Sequence, residues 1–432
     1  MVFVRNIRSG NFNGSKAVFV SPEKADDLAA HQVSGGDILI TKMGEPPGDA
    51  CLYPESCPSA VITADCIKLR LAHGLSPKFF TYAINAPIVR NQIGDITKGV
   101  AQQKVSLGRF STLALPLAPL DEQQRIVAEI EKQFTRLEAG VASLKRVQAA
   151  LKRYRASVLK AACEGRLVPT EAELARRESR PYELATTLLA TASKKSPVEK
   201  KRAGRLWGAG HVPDITDAER ESLPEGWAWT KVRELGSSPE DAVQVGPMSM
   251  RSEDFEEAGV PVLNVGCVQW DRFEESKLNF MPKEKAAAFD RYRLQPGDVL
   301  FTRSGTVGRC AVAQPHQDQW LMTFHLLRAR PDPRKCTPEL LRIVFEGAPH
   351  VRRQTKEAWV GSTRAGFNTN LLGNLAVPLP PFDEQQRIVA EVERRLSVIE
   401  ELETVVAANL QRATRLRQAI LHRAFDGKLI TL

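Results

Sequence analysis

Little in this 432-residue chain suits chemistry at a reactive centre. It has seven histidines and seven cysteines. Cys51, Cys57, Cys66, Cys163, Cys267, Cys310 and Cys336 include no Cys-x-x-Cys pair, and none stands beside a histidine at zinc-ligand spacing. An odd set of scattered cysteines is the pattern of reduced, mostly buried thiols, so no metal site is expected. There is no Gly-x-x-x-x-Gly-Lys-Ser/Thr loop for a nucleotide, no Gly-x-Ser-x-Gly elbow and no His-Glu-x-x-His. No cluster of acids and bases takes their place, so neither catalytic residues nor a cofactor are expected. Long apolar runs are also missing: no stretch approaches the 18 residues of a membrane span, and no apolar segment follows the N-terminal charges. The expected location is cytoplasmic.

What the chain has in abundance is itself. Asp121-Glu122-Gln123-Gln124-Arg125-Ile126-Val127-Ala128-Glu129 recurs unchanged at Asp383–Glu391, 262 residues later. At that offset Pro116-Leu117-Ala118-Pro119-Leu120 matches Pro378-Leu379-Pro380-Pro381-Phe382, and Gly165-Arg166-Leu167-Val168 matches Gly427-Lys428-Leu429-Ile430. Constant spacing over such a length points to a rigid element, since loops accept insertions. Upstream the copies diverge, yet Gly36-Asp37-Ile38-Leu39-Ile40-Thr41 still resembles Gly297-Asp298-Val299-Leu300-Phe301-Thr302, and Val4–Ile7 resembles Val262–Val265. The period is far too long for a solenoid and fits two domain-sized halves. The second half opens with Leu223-Pro224-Glu225-Gly226-Trp227, for which the first has no counterpart. Either the chain starts late or that copy was shortened.

The preserved segments read as long helices. Ile126, Ile130, Phe134, Leu137, Val141, Leu144, Val147, Leu151, Tyr154 and Val158 follow one another in steps of three and four, a sustained a/d seam with charged residues between. The copy gives Ile388, Val392, Leu396, Ile399, Leu402, Val406, Leu410, Ala413, Leu416 and Ile420. Pro119 and Pro381 bar helix upstream, Asp121 and Asp383 are candidate N-caps, and Gly165 and Gly427 close the far ends. About 43 residues make a rod of roughly 64 Å. A helix with one apolar stripe must bury it, and each copy is the nearest partner for the other.

The divergent parts read as mixed α/β. Val260–Val265, Asp298–Phe301 and Gly36–Ile40 are short strands, and Pro296-Gly297 and Ser304-Gly305 mark turns. Five of the six tryptophans fall in the second part, most of them assigned to packing. Thr302-Arg303-Ser304-Gly305-Thr306-Val307-Gly308-Arg309 follows its strand, with Thr41-Lys42-Met43-Gly44 in the matching place. Short hydroxyl, glycine and arginine residues in a loop suit phosphate or base-edge contacts; the alternative is an ordinary hairpin loop. A second polar stretch precedes each long helix, Gly361–Asn368 with Arg364 and Asn368, and Gly99–Ser106 with Lys104. There a solvated turn is the alternative. The expected nucleic-acid contacts are therefore Lys42, Lys104, Arg303, Ser304, Thr306, Arg309, Arg364 and Asn368. The net charge of +9 leans the same way. Residues 169–222 read as a charged, flexible linker with some helix near Glu171 to Ala192. Leu379-Pro380-Pro381-Phe382 is superficially similar to the Asn/Asp-Pro-Pro-Phe/Tyr loop of amino-methyltransferases, but it lacks the leading Asn or Asp and opens a helix. A stand-alone methyltransferase is thereby disfavoured.

Taken together, Pro378–Val389 with its copy at 116–127, Gly427-Lys428-Leu429, Leu223–Trp227 and Gly297–Leu300 make the chain resemble the specificity subunit of a Type I restriction–modification system. The resemblance covers essentially the whole chain. It implies an α+β protein of two target-recognition domains, at 1–115 and 223–377, each reading half of a bipartite site in double-stranded DNA. The segments at 116–168 and 378–432 would be spacer helices packed as an antiparallel coiled coil. It further implies docking of two methyltransferase subunits, with motor–nuclease subunits joining for cleavage, and no chemistry in the chain itself. The family carries a counterpart of Leu223–Gly259 at its N-terminus, from which this sequence departs. The alternative function is a coiled-coil scaffold with two peptide-binding globular parts.

Overall fold

The computed structural model describes residues 1–8, 10–15, 18–44, 46–98, 103–190, 214–238, 241–304, 307–359 and 367–429, with backbone alone at 357–359. The chain is a mixture of helices and mostly antiparallel sheets, an α+β protein, and divides into two compact units, Met1–Gln148 with Glu403–Leu432, and Ala149–Leu402.

In the first unit, strand β1 (Ile38–Thr41) is central, flanked by β2 (Ala50–Leu52) and β3 (Cys66–Leu69), both antiparallel. All four residues of β1 are buried, which is why it reads as an uninterrupted apolar run rather than an alternating one. Helices α1 (Pro77–Asn85) and α2 (Pro87–Ile96) follow. Each has proline in its first turn, and Pro87 holds Ala86 extended at ψ 150, so the two cannot merge into one helix. Phe79, Phe80, Ile84, Val89 and Ile93 from these helices meet Ile38 and Ile40 in one core. Val4–Asn6 forms a single 3-10 turn, because Asn6 accepts from Phe3 N at 2.8 Å and donates to Asn13 O at 2.7 Å.

The long helix α3 spans Leu120–Cys163, 44 residues or about 66 Å. In the second unit α4 (Glu171–Glu178) precedes the sheets. These comprise β4 (Ala228–Lys231), β5 (Val243–Val245), β6 (Val260–Leu263), β7 (Asn279–Met281), β8 (Val299–Thr302), β9 (Cys310–Val312), β10 (Leu321–Met322) and β11 (Leu326–Ala329). The four-stranded sheet runs β9-β8-β11-β5, with β8 central as β1 is in the other unit; β7-β6-β10 form a second sheet. Helices α5 (Pro338–Gly347) and α6 (Pro349–Trp359) repeat the α1–α2 pair, again broken at an Ala-Pro step. After α7 (Thr369–Asn374), β12 (Ala376–Leu379) pairs with β4, and α8 (Phe382–Phe425) closes the chain with another 44 residues.

Both long helices start one residue before the expected N-cap. The carbonyls of Pro119 and Pro381 accept the first helical bonds, from Gln123 and Gln385. Asp121 and Asp383 thus lie in the first turn, where their charge opposes the helix dipole favourably, rather than capping it. The seam is also less uniform than its periodicity suggests. Ile126, Ile130, Phe134, Ile388, Val392, Leu396 and Ile399 are buried, but Val147, Tyr154, Leu402 and Leu416 are nearly half exposed. The apolar period is continuous, but the burial along it is not. Within the first unit Arg417 of α8 stacks on Phe134 of α3, 4.2 Å from the ring centroid, and bonds Glu138 at 3.1 Å. Within the second, Arg155 of α3 lies between Glu346 and Glu400. A β-carbon on Gly347 would meet the Leu159 backbone at 2.7 Å, so α5 crosses α3 where only glycine fits.

The expected flexible linker begins as an anchored segment. Glu171 is buried and paired with Arg180 and Arg387, both at 2.6 Å. Helix forms at Glu171–Glu178 and Ala185–Ala190, while residues 191–213 lie outside the described residues. The seven cysteines are free thiols, and all but Cys57 are buried. Trp227 is buried as packing requires, whereas Trp270 is well exposed. Among the described residues, no helix is long and apolar enough to cross a membrane.

Candidate nucleic-acid interface

The same supports hold the polar loops of both units. At the head of β1, Asp37 accepts from Ser34 N at 2.9 Å and takes a two-pronged pair from Arg70 at 2.7 and 2.6 Å. At the head of β8, Asp298 accepts from Gln295 N at 2.8 Å and from Arg330 at 2.6 and 2.7 Å. Burial works against the Asp37 carboxylate, but Arg70 and the Ser34 N–H outweigh it and hold its pKa below the ordinary range. At the strand ends Thr41 Oγ1 accepts from Gly48 N and Asp49 N, and Thr302 Oγ1 accepts from Arg309 N. The Asp-(apolar)3-Thr unit is thus a locked strand that delivers the loop beginning at the next residue, Lys42 or Arg303.

A second support comes from the repeated nine residues. The Gln123 amide accepts from Ser76 N at 2.9 Å and donates to Ala118 O at 2.8 Å. Gln385 accepts from Thr337 N at 3.0 Å and donates to Lys335 O and Pro380 O at 2.9 and 3.0 Å. Each buried glutamine therefore clamps the start of α1 or α5 to the start of the long helix. This internal task accounts for one position of the repeat without any partner.

In the second unit Arg303 lies with its guanidinium 4.2 Å from the Phe324 ring centroid, while its backbone N–H donates to His325 O. Partial burial lowers its pKa. Ser304 Oγ is 3.3 Å from His325 Nδ1. Arg309 donates to Gln269 Oε1 at 2.9 Å, and its Nε is buried with no partner among the described residues. Arg309 is thereby tied to the tight turn Gln269–Arg272, in which Gln269 N donates to Arg272 O and Asp271 has φ +69. Beside this loop lies an open cavity of about 380 Å³ whose lining includes Trp270, Gly308, Phe345, Arg352, Lys356 and Phe367. Arg272, Phe324, His325 and Trp270 were not among the expected contacts. They come from segments distant in sequence, and no local motif marks them.

Asn368 belongs elsewhere: its side chain caps α7, accepting from Leu371 N at 2.8 Å. That role uses the carbonyl oxygen and leaves the amide nitrogen for any ligand. Thr306 and Arg364 lie outside the described residues. In the first unit Lys42 and Lys104 do come together. Val105 N donates to Lys42 O at 2.9 Å, Met43 bridges Lys104, and Lys98 and Lys104 exchange backbone bonds at 3.2 and 3.0 Å. This pairing adds exposed Lys98, which sequence spacing does not single out, and gathers three lysines at the loop. Among the described residues no group of His, Cys, Asp and Glu is placed to hold a metal.

A sequence model described as "Type I restriction modification DNA specificity domain" matches residues 5–145. Over 99% of its length the chain is 23% identical to the EcoKI specificity subunit of Escherichia coli (strain K12), covering 82% of that protein. It is 24% identical, over 99% of its length and 82% of the relative, to the StySPI specificity subunit of Salmonella potsdam. A chain from a structural study of complex assembly and conformational transition in the type I R-M system superimposes with a TM-score of 0.59 at 20% identity, covering 92% of this chain and 83% of that one, which shows a shared fold. The match at residues 5–145 and the similarity along nearly the whole chain both point to the specificity subunits of Type I restriction–modification systems as what this chain resembles.

Proposed function

We propose that this chain is the specificity subunit of a Type I restriction–modification system and reads a bipartite site in duplex DNA. Residues 1–115 and 223–377 would act as two recognition domains, the helices within 116–168 and 378–432 as an antiparallel coiled-coil spacer, and 169–222 as the linker. The observation carrying this reading is a constant frame with variable loops. Both units have the same Asp–Arg lock, strand and glutamine clamp, yet one then presents Lys42-Met43-Gly44 and the other Arg303-Ser304. Two domains held alike but differing at their tips are what two unlike half-sites require. Phosphate contacts from Lys42, Lys98 and Lys104 would position one domain, and Arg303, Ser304 and Arg309 would contact bases or phosphates in the other. Thr306 and Arg364 remain proposed contacts, and Asn368 a contact through its amide nitrogen alone.

The solvent-facing residues of the repeat support docking of two copies of one partner. Asp121, Gln124 and Ala128 are exposed along one face of α3, and the identical Asp383, Gln386 and Ala390 along α8. Two methyltransferase subunits would sit there, with restriction subunits joining the assembly. The test is the methylation pattern of DNA treated with the reconstituted methyltransferase complex. Arg303→Ala should lower methylation about 5- to 150-fold, the range expected when one specific base contact is lost, and should relax sequence preference in one half-site only. Unchanged preference in both half-sites would remove Arg303 as a reader.

A further inference from the structure

The turn Gln269–Arg272 holds a residue that its backbone does not favour. Asp271 has φ +69, in the left-handed region where glycine or asparagine is the usual occupant. An aspartate kept in that conformation points to a use for its side chain. The use lies on α5: Arg342 Nε pairs with Asp271 Oδ1 at 2.9 Å, and the Arg342 side chain is only 2% exposed. The backbone of the turn is tied as well. Asp271 N donates to Cys310 O at 3.0 Å, at the start of β9, and Gln269 N donates to Arg272 O at 3.0 Å.

Arg342 is itself held from the other side. It pairs with Glu346, one turn further along α5, at 3.3 Å, and Glu346 accepts from Arg155 of α3 at 3.1 Å. Arg155 also pairs with Glu400 of α8 at 3.6 Å. All five side chains belong to the second unit, and their charges alternate in sign from the turn to the long helices. The close approach of Gly347 to the Leu159 backbone fixes α5 against α3, so Arg342 is a stationary anchor. A pair between exposed side chains would contribute little, but here the cation is enclosed. On its far side the turn carries Gln269, which accepts from Arg309 at 2.9 Å, and the exposed Trp270 and Arg272.

We propose that Asp271 is a positioning residue that sets sequence specificity: anchored by Arg342, it fixes the Gln269–Arg272 turn and, through Gln269, the guanidinium of Arg309. The inference rests on the reading of DNA by Arg303 and Arg309. Arginine has a long, flexible stem, and it discriminates between bases only when neighbours hold its fork in one place. Gln269 supplies that hold, and the ion chain behind Asp271 holds Gln269. A turn released from Arg342 would let Arg309 settle on more than one base edge. Loss of the anchor therefore broadens recognition rather than abolishing it, and it leaves phosphate contacts as they were.

Asp271→Gly isolates this role. Glycine adopts a positive φ without strain, and Arg342 keeps Glu346 as its counter-charge, so the variant should unfold within about 2–4 °C of the parent. The reconstituted methyltransferase complex is given duplexes randomised in each half-site, and methylation is mapped. Asp271→Gly should lower discrimination about 5-fold or more at the base positions that Arg309→Ala also relaxes, in one half-site only. The salt dependence of binding should not change, since no phosphate contact is lost. Asp271→Asn, which keeps an acceptor for Arg342, should restore most of the discrimination. The double variant Asp271→Gly/Arg309→Ala should discriminate as Arg309→Ala does alone, because both changes act through one contact. Parental discrimination in Asp271→Gly, while Arg309→Ala has lost it, overturns the inference and leaves the reading of DNA by Arg309 standing. Equal weakening on all duplexes, or losses that add in the double variant, also overturn it. Parental discrimination in both single variants removes Arg309 as a reader, and the positioning role falls with it.

Discussion

Asp37 and Asp298 do the same job in different surroundings, and that difference has a measurable consequence. Both carboxylates are buried and both receive a two-pronged guanidinium. Arg70 is 60% exposed, however, while Arg330 is 28% exposed and Arg328, nearly buried, lies 4.0 Å from the same Asp298 oxygen. Removing Asp37 leaves an arginine that water can solvate, so Asp37→Ala should cost about 1 kcal/mol, as for an exposed pair. Removing Asp298 leaves the nearly buried Arg328 and the partly buried Arg330 without a counter-charge, and Asp298→Ala should cost about 3–5 kcal/mol. Urea unfolding of the two variants, with tryptophan fluorescence following the second unit, gives both values. Equal losses would show that the two locks are energetically equivalent despite their different burial.

The long helices raise the question of what their constant length is for. If they set the distance between two DNA readers, one heptad removed from each shortens the spacer by about 10 Å, roughly three base-pair steps. Deleting seven residues from the middle of both α3 and α8 should therefore shift the preferred gap between half-sites by about three base pairs, read by methylation mapping. A variant that folds, methylates and keeps the original gap would sink the spacer role. These helices were legible in the sequence because their signal is local: a 3–4 apolar step, proline before and glycine after. The central strands were legible for the same reason, as short apolar runs behind Gly-Asp. What was not legible depends on distant residues. Nothing near Gln385 in sequence announces that its amide caps Thr337, nor does the Lys104 segment announce that it pairs with Lys98. Asn368 shows the converse limit: its side-chain oxygen caps the helix that starts at Thr369, a task that a polar residue beside a basic loop does not announce.

At the scale of the whole molecule, a charge of +9 favours DNA of any sequence, and specificity must arise on top of that. The two contributions separate by their salt dependence. Each lysine that neutralises a phosphate releases condensed counterions, steepening the fall of log K with log salt by about 0.9. Lys98, exposed and paired through its backbone to the Lys104 segment, is a candidate for this task alone. In the methyltransferase-containing complex, Lys98→Ala should reduce the salt slope by about 0.9 and weaken cognate and non-cognate duplexes by the same factor. Arg303→Ala should instead narrow the ratio between cognate and non-cognate DNA, because a base contact is lost only where the right base is present. Filter-binding titrations at several salt concentrations on both duplexes resolve the two behaviours. A Lys98 variant with an unchanged slope would take the lysine cluster off the DNA and leave attraction to the wider surface.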